Sequence, residues 1–515
     1  MQTLVVEYNT DYLHTNKIGG LKTTQTDYAK TSKMDITELK PTEVWQQFDK
    51  ICKVPRPSKK EGRMIDFLMN FGKSHNLETL RDDAGNVVIR KAASPQMANY
   101  QTIVLQSHID MVCEKTADSC HNFETDPIEP IVDGEWVHAN KTTLGADDGI
   151  GVATQLALLA SQTVQHPPLE CLFTVDEETG LTGAFAFDPK LLKGRTLINL
   201  DSEDEGQIFI GCAGGINTVA QFSYTTQKVA DGQSAFEIEV KGLRGGHSGD
   251  DINKELGNAN KILNRFLWNA TKSFGLRLCK FDGGNLHNAI PRDAKATITI
   301  DSQCVKDFEN YLHKFTQTIA SELKYTEPQF SMSLAPTELP AECLTASDQS
   351  HLLNAIYGCP NGPIAMSHAL PGLVETSTNL ASVKMKENNV IEIVTSQRSA
   401  IESARDDIAN MVESVFTQAG ATVNHSEGYP GWEPNTDSKI LQTAVASYRR
   451  LFGREPEVKA IHAGLECGLF LKKIPDMDMI SIGPTLRGVH SPSERIEIKT
   501  VEMFWAFLID ILKNC

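Results

Sequence analysis

At 515 residues, with 40% hydrophobic and 22% charged side chains, the chain has the composition of a globular protein of more than one domain. Its 49 basic and 66 acidic side chains leave a net charge of −17. That balance, with no basic stripe, excludes nucleic acid and anionic membrane surfaces as expected partners. The 11 cysteines include no CxxC pair, and several sit in apolar runs such as "LECLF" and "FIGCAGG". They read as reduced, buried thiols of a cytoplasmic protein. The N-terminus lacks a basic segment followed by an apolar one, and no apolar run is long enough to cross a bilayer. Neither a signal peptide nor a membrane span is expected.

Residues 1–33 are polar and weakly patterned, and are expected to be a disordered leader ahead of a fold that begins near Met34. "DITELKPTEVWQQFDKICKV" reads as a capped amphipathic helix, with Asp35 or Thr42 as the cap. Helical periodicity over 60–76 gives way to the strands "NVVIRKA" and "TIVLQSH", then to the helix "GIGVATQLALLASQ". The strands "LECLFTVDEE" and "TLINLDSED" follow. Strands separated by helices predict an α/β fold with a doubly wound, mainly parallel sheet.

From about 216 the texture becomes α+β. The strand "SAFEIEVKGLRGG", the helix "INKELGNANKILNRFLWNATKSF", the strand "AKATITIDS" and the helix "VKDFENYLHKFTQTIASEL" come in order. The same order recurs loosely in "QFSMSLAP", "DQSHLLNAIYGCP", "VIEIVTSQRS" and "ESARDDIANMVESVFTQAG", which suggests an internal duplication. After about 430 the first texture returns with "DSKILQTAVASYRRLFG", "AIHAGLECGLFLKK", "DMDMISIGP" and "TVEMFWAFLIDILKN". The expected organisation is therefore one α/β domain, 34–215 plus 430–515, interrupted by an inserted domain over 216–429.

Histidines and carboxylates recur just after strand-like runs or at a helix start. His108 ends "TIVLQSH", Asp147 lies in "TLGADDGIG", Glu177 and Glu178 in "FTVDEETG", Asp201 in "INLDSEDEG" and His462 in "IHAGLECG". The carboxyl ends of parallel strands open onto one crevice, so groups there converge although they are distant in sequence. Two histidines and three carboxylates make a ligand set for two adjacent divalent ions, Zn²⁺ first, with Mn²⁺ or Co²⁺ fitting too. Asp110, two residues beyond His108, would fix that imidazole's orientation or sit behind the metals. Adjacent carboxylates on an extended segment point to opposite sides. One of the glutamates, Glu178, would therefore bind metal while Glu177 holds and deprotonates the attacking water.

Together "SHIDMV", "LGADDGIG", "VDEETGLTGA", "NLDSEDEG", "GGHSGDDI", "NLHNAIPRDA" and "HAGLECGLF" resemble the aminoacyl-histidine dipeptidases, also called peptidase D or Xaa-His dipeptidases. These belong to the co-catalytic dizinc peptidases that include carnosinases, carboxypeptidase G and tripeptide aminopeptidase. The resemblance spans about 36–515 and implies a catalytic domain interrupted by a lid domain. It implies hydrolysis of short unblocked peptides, dipeptides ending in histidine such as β-alanyl-histidine above all. By position it marks His108, Asp147, Glu178, Asp201 and His462 as metal ligands, with Asp147 bridging, and Asp110 and Glu177 as the catalytic pair. In the lid it marks His247 as an oxyanion donor, Arg398 as the partner of the substrate carboxylate, and Asn288 as a cleft residue. "GADDGIG" has Gly149 where the tripeptide aminopeptidase branch resembles "GADDKAG", which favours the dipeptidase branch. A non-catalytic metal-binding protein on the same fold is the alternative of another class; retention of Asp110 and Glu177 argues against it. A homodimer formed through the lid is compatible with the resemblance.

Overall fold

In the computed structural model, which describes residues 34–515, the apolar runs assemble into two large sheets. The leader expected at 1–33 lies outside the described residues. The first sheet has eight strands, in the order Glu78–Arg81, Val87–Lys91, Leu169–Thr174, Ile103–His108, Thr196–Asn199, Asp478–Ser481, Gln207–Cys212 and Glu457–Ile461. Its four middle strands, from Leu169–Thr174 to Asp478–Ser481, run parallel. The Glu78–Arg81 edge is antiparallel. Every residue of Ile103–His108 and Leu169–Thr174 is buried. Ile103 and Leu105 face the core under the helix Ala146–Ala160, and Val104 faces a second core around Phe187 and Phe470. A strand covered on both faces needs apolar residues at every position, hence the unbroken run in the sequence.

The second sheet is antiparallel throughout. Eight of its nine strands follow the order Ser331–Pro336, Gln233–Lys241, Ala294–Asp301, Arg277–Gly283, Val374–Lys386, Val390–Ser399, Gly214–Ser223 and Thr422–His425; Gly362–Met366 pairs onto Val374–Lys386. Each half of this order carries two helices, Ala259–Phe274 and Val305–Glu322 in one, Ala346–Gly358 and Glu402–Gln418 in the other. That symmetry supports the duplication, but with other boundaries than the sequence suggested. Ser331–Pro336 does not open the second half. It closes the first as a half-exposed edge strand beside Gln233–Lys241. The second half takes its matching strand from Gly214–Ser223, upstream of the whole first half. Antiparallel pairing follows complementary faces rather than chain order, so a linear search for repeats misplaces that strand.

The buried residues of the first core come from Ile36–Ile210 and Ile440–Leu512, and those under the second sheet from Ala220–Ala421. This partition supports reading 216–429 as an insert. The expected first helix is in fact two elements. A short turn, Ile36–Glu38, is capped by Asp35, which accepts from the Thr37 N–H at 2.9 Å. The helix proper, Thr42–Cys52, starts after Pro41. Proline carries no N–H and its ring obstructs a helix running through it.

Candidate metal centre

The strands ending near Thr174, His108 and Asn199 are neighbours, so the segments leaving them meet at one edge of the sheet. His108 is 1% exposed. Its Nε2 lies 3.0 Å from Oδ1 of Asp147 and 3.4 Å from Oδ1 of Asp201. On the other side of Asp147, Oδ2 is 3.1 Å from Nε2 of His490, and that nitrogen is also 3.0 Å from Oε2 of Glu178. Asp147 thus offers one oxygen to each of two imidazoles, each of which has a further carboxylate beside it. That is the arrangement of a bridging carboxylate between two cation positions.

His462, expected in this cluster, is not in it. Its Nε2 sits 2.7 Å from the Ser377 hydroxyl, on the second sheet. Burial, reinforced by the charge of Arg398, pushes its pKa down to about 4, so it is a neutral hydrogen-bonding group. The reason lies in strand order. Glu457–Ile461, which precedes His462, is the edge strand, whereas Asp478–Ser481 lies beside Thr196–Asn199 in the middle. The segment that follows the central strand carries His490. Its signal in the sequence is "GVHSPSE", a histidine among small residues with a glutamate close behind.

That glutamate holds the opposite ligand loop. The Glu494 carboxylate accepts the N–H groups of Leu144, Gly145 and Ala146 at 2.8, 3.0 and 2.8 Å. Gly145 has φ +67°, a left-handed turn in which a side chain would be strained and would meet Arg56. The buried Arg56 donates to the carbonyls of Ile109 and Asp110 at 3.1 and 2.6 Å, and to that of Gly145. It ties the His108 and Asp147 segments together. Neither Arg56 nor Glu494 carries a motif that sequence alone would single out.

Asp110 serves two elements. One oxygen lies 3.3 Å from His108 Nδ1. Its two oxygens also accept the backbone N–H groups of Glu177 and Glu178 at 3.0 and 3.2 Å, and Ser58 donates to it at 2.7 Å. The acidic pair therefore sits on a turn anchored by Asp110, not on the extended strand expected; the strand stops at Thr174. The turn brings ligand atoms of both glutamates and of His108 within 4.8 Å of one another, yet the two carboxylates have different partners. Glu178 goes to His490. Glu177 makes no side-chain hydrogen bond among the described residues, and burial lifts its pKa well above the usual carboxyl range, with Glu466 and Glu178 adding to the shift against His108.

The donor set suits a pair of divalent ions. It is mixed N/O, convergent and partly open, and Oε1 of Glu178 is buried with no partner among the described residues. Without ions the histidines carry the compensating charge. Hydrogen bonds to Asp147 and Glu178 raise His490 to about 11. Burial would lower His108, but Asp201, Asp110 and Asp147 outweigh it and hold it well above the usual imidazole value. A metal ion must displace these protons. Apparent metal affinity should therefore rise with pH across neutrality, by about tenfold per unit for each proton displaced. Calorimetric titration in buffers of different ionisation enthalpy checks this; the absence of proton release would contradict it.

Asp147, Glu177, Glu178, Asp201 and His490 line a cavity of about 560 Å³ whose other wall includes His247 and Asp250 of the second sheet's domain and residues 463–465. Arg398 and Asn288 do not line it. Arg398 is 6% exposed and stands behind His247, with Nη2 3.5 Å from His247 Nε2 and Nη1 donating to the Tyr429 hydroxyl at 2.9 Å. Asn288 supports the His247 loop through its backbone, its carbonyl accepting the Ser248 N–H at 2.8 Å.

Comparison with known proteins shows the family. Residues 104–514 match the family described as Peptidase family M20/M25/M40. The chain is 42% identical over 480 residues to the cytosol non-specific dipeptidase of Escherichia coli K12, covering 93% of this chain and 99% of that one. It is similar to the crystal structure of aminoacylhistidine dipeptidase from Vibrio alginolyticus, with a TM-score of 0.87 and 42% identity over 93% of this chain and 98% of that one. An aminopeptidase structure from Bacillus cereus shares the fold, at a TM-score of 0.53 and 15% identity over 92% of this chain and 99% of that one.

Proposed function

From the chain's membership of peptidase family M20/M25/M40, which makes it a metallopeptidase, we propose that it is a dipeptidase acting on unblocked dipeptides, Xaa-His among them. The observation that carries this reading is Asp147, which presents one oxygen to His108 and the other to His490 at the floor of a cavity of about 560 Å³. A cavity of that size suits a small molecule and no folded chain. The names of the relatives from E. coli and V. alginolyticus support the dipeptide as substrate, and the former's supports action in the cytosol.

In this reading His108 and Asp201 would hold one divalent ion and Glu178 and His490 the other, with Asp147 shared between them. When bound, the ions supply Lewis-acid polarisation of the scissile carbonyl and acidify the attacking water. Glu177 accepts the proton of that water and returns it to the leaving amine. Its raised pKa suits both halves of the task. Asp110 keeps Glu177 and Glu178 at fixed places by binding their backbone. His247 faces the cavity and donates to the oxyanion, and Arg398, just behind it and outside the cavity lining, takes the substrate carboxylate as a planar fork once the inserted domain closes on the substrate.

Chelation should abolish hydrolysis of a dipeptide panel containing β-alanyl-histidine, and Zn²⁺, Mn²⁺ or Co²⁺ should restore it. Hydrolysis of leucyl-glycyl-glycine in preference to every dipeptide would instead favour a tripeptide aminopeptidase. Activity unchanged by exhaustive chelation would overturn the reading. Within it, His247→Ala should lower kcat by about 10²–10³ with little change in KM. Arg398→Ala should raise KM for free dipeptides and matter much less for C-terminal amides; equal losses on acid and amide would remove Arg398 from the carboxylate role.

A further inference from the structure

The cavity has an excess of carboxyl groups that its proposed chemistry does not use. Among the described residues, seven carboxylates line it and no lysine or arginine does. Two divalent ions bring four positive charges, which Asp147, Glu178, Asp201 and the base Glu177 offset. Of the other three carboxylates, Asp204 is paired with Arg487 at 2.8 Å. Asp250 lies 3.5 Å from His247 Nδ1. Glu203 has no side-chain hydrogen bond and no ion pair among the described residues, although it faces the cavity. Its backbone is held in place, because its carbonyl accepts from the Leu486 N–H at 3.0 Å and from Arg487 Nη1 at 3.2 Å. The free carboxylate can therefore move only through its own rotamers. It stands two residues beyond Asp201, on the catalytic-sheet wall, while the group assigned to the substrate's C-terminal carboxylate, Arg398, stands behind His247 of the opposite wall.

A dipeptide lying across the metal centre with its carboxylate toward Arg398 places its N-terminal residue on the side of Glu203. We propose that Glu203 is a specificity-determining residue that selects the N-terminal residue of the substrate. It favours cationic side chains, as in Lys-Xaa and Arg-Xaa, and rejects acidic ones. This rests on the dipeptidase reading and adds to it a preference and the residue that sets it. The pairing is direct and screened by salt, because Glu203 is an exposed residue of the cavity lining.

The test is kcat/KM of the metal-loaded enzyme for Lys-Leu, Met-Leu and Glu-Leu, which share a leaving group and differ little in acyl length. The wild type should prefer Lys-Leu over Met-Leu by about fivefold and disfavour Glu-Leu by a similar factor, both ratios shrinking in high salt. Glu203→Gln should bring the Lys/Met ratio to about one, and Glu203→Lys should invert the Lys/Glu order. Metal content of each variant, measured in parallel, should equal that of the wild type, since Glu203 touches no proposed ligand. Equal rates for the three peptides in the wild type, or an unchanged ratio in Glu203→Gln, overturn the proposal alone. No cleavage of any of them by metal-loaded wild type overturns the dipeptidase reading and this proposal with it.

Discussion

Glu177→Gln should keep both metal ions and lose about 10²–10⁴ in kcat, the usual cost of removing a general base. The amide fills the same volume and its backbone N–H still reaches Asp110, so the turn carrying Glu178 should stay in place. What disappears is the proton acceptor. Glu177 is suited to that role because burial, together with Glu466 and Glu178, makes its carboxylate more basic than a solvated one. Glu178→Gln should behave differently. Its carboxylate contacts His490 at 3.0 Å and has a second oxygen buried without a partner among the described residues, so its loss should strip metal before it affects chemistry. Metal analysis beside single-turnover kinetics separates the two. If Glu178→Gln retains metal and Glu177→Gln does not, the roles are reversed.

The second large effect concerns the two candidate histidines of the C-terminal segment. His490→Ala should lower the affinity for one of the two ions by more than about 100-fold, because losing even an outer partner of a metal ligand costs about 10–100-fold. His462→Ala should leave metal content as in the wild type, because its imidazole is engaged with Ser377 and lies outside the cluster around Asp147. Dialysis against a competing chelator, followed by elemental analysis of both variants, decides the matter. Two ions in His490→Ala and one in His462→Ala would restore the assignment that the sequence pattern suggested.

That pair also shows how far the sequence could be read. His108, Asp147, Glu178 and Asp201 were legible because each follows a strand or opens a helix, and their strands proved to be neighbours in the sheet. His462 met the same criterion but follows an edge strand, and a linear pattern does not contain strand order. His490 is separated from its strand by a longer excursion, and only folding brings it back over Asp147. The recurring order of elements in the inserted domain was visible for the same reason that its pairing was not. The recurrence of strand and helix is local, whereas the choice of Gly214–Ser223 over Ser331–Pro336 as a pairing partner depends on the whole sheet. Arg56 and Glu494 escaped notice because their work is done on backbone groups, which leave no trace in residue type.

The central claim is a two-ion centre built on Asp147, and anomalous diffraction from crystals of the metal-loaded protein tests it most directly. The account predicts two peaks roughly 3.5–4 Å apart on either side of the Asp147 carboxylate, one against His108 and Asp201, the other against Glu178 and His490. A single peak, or one coordinated by His462, would contradict it.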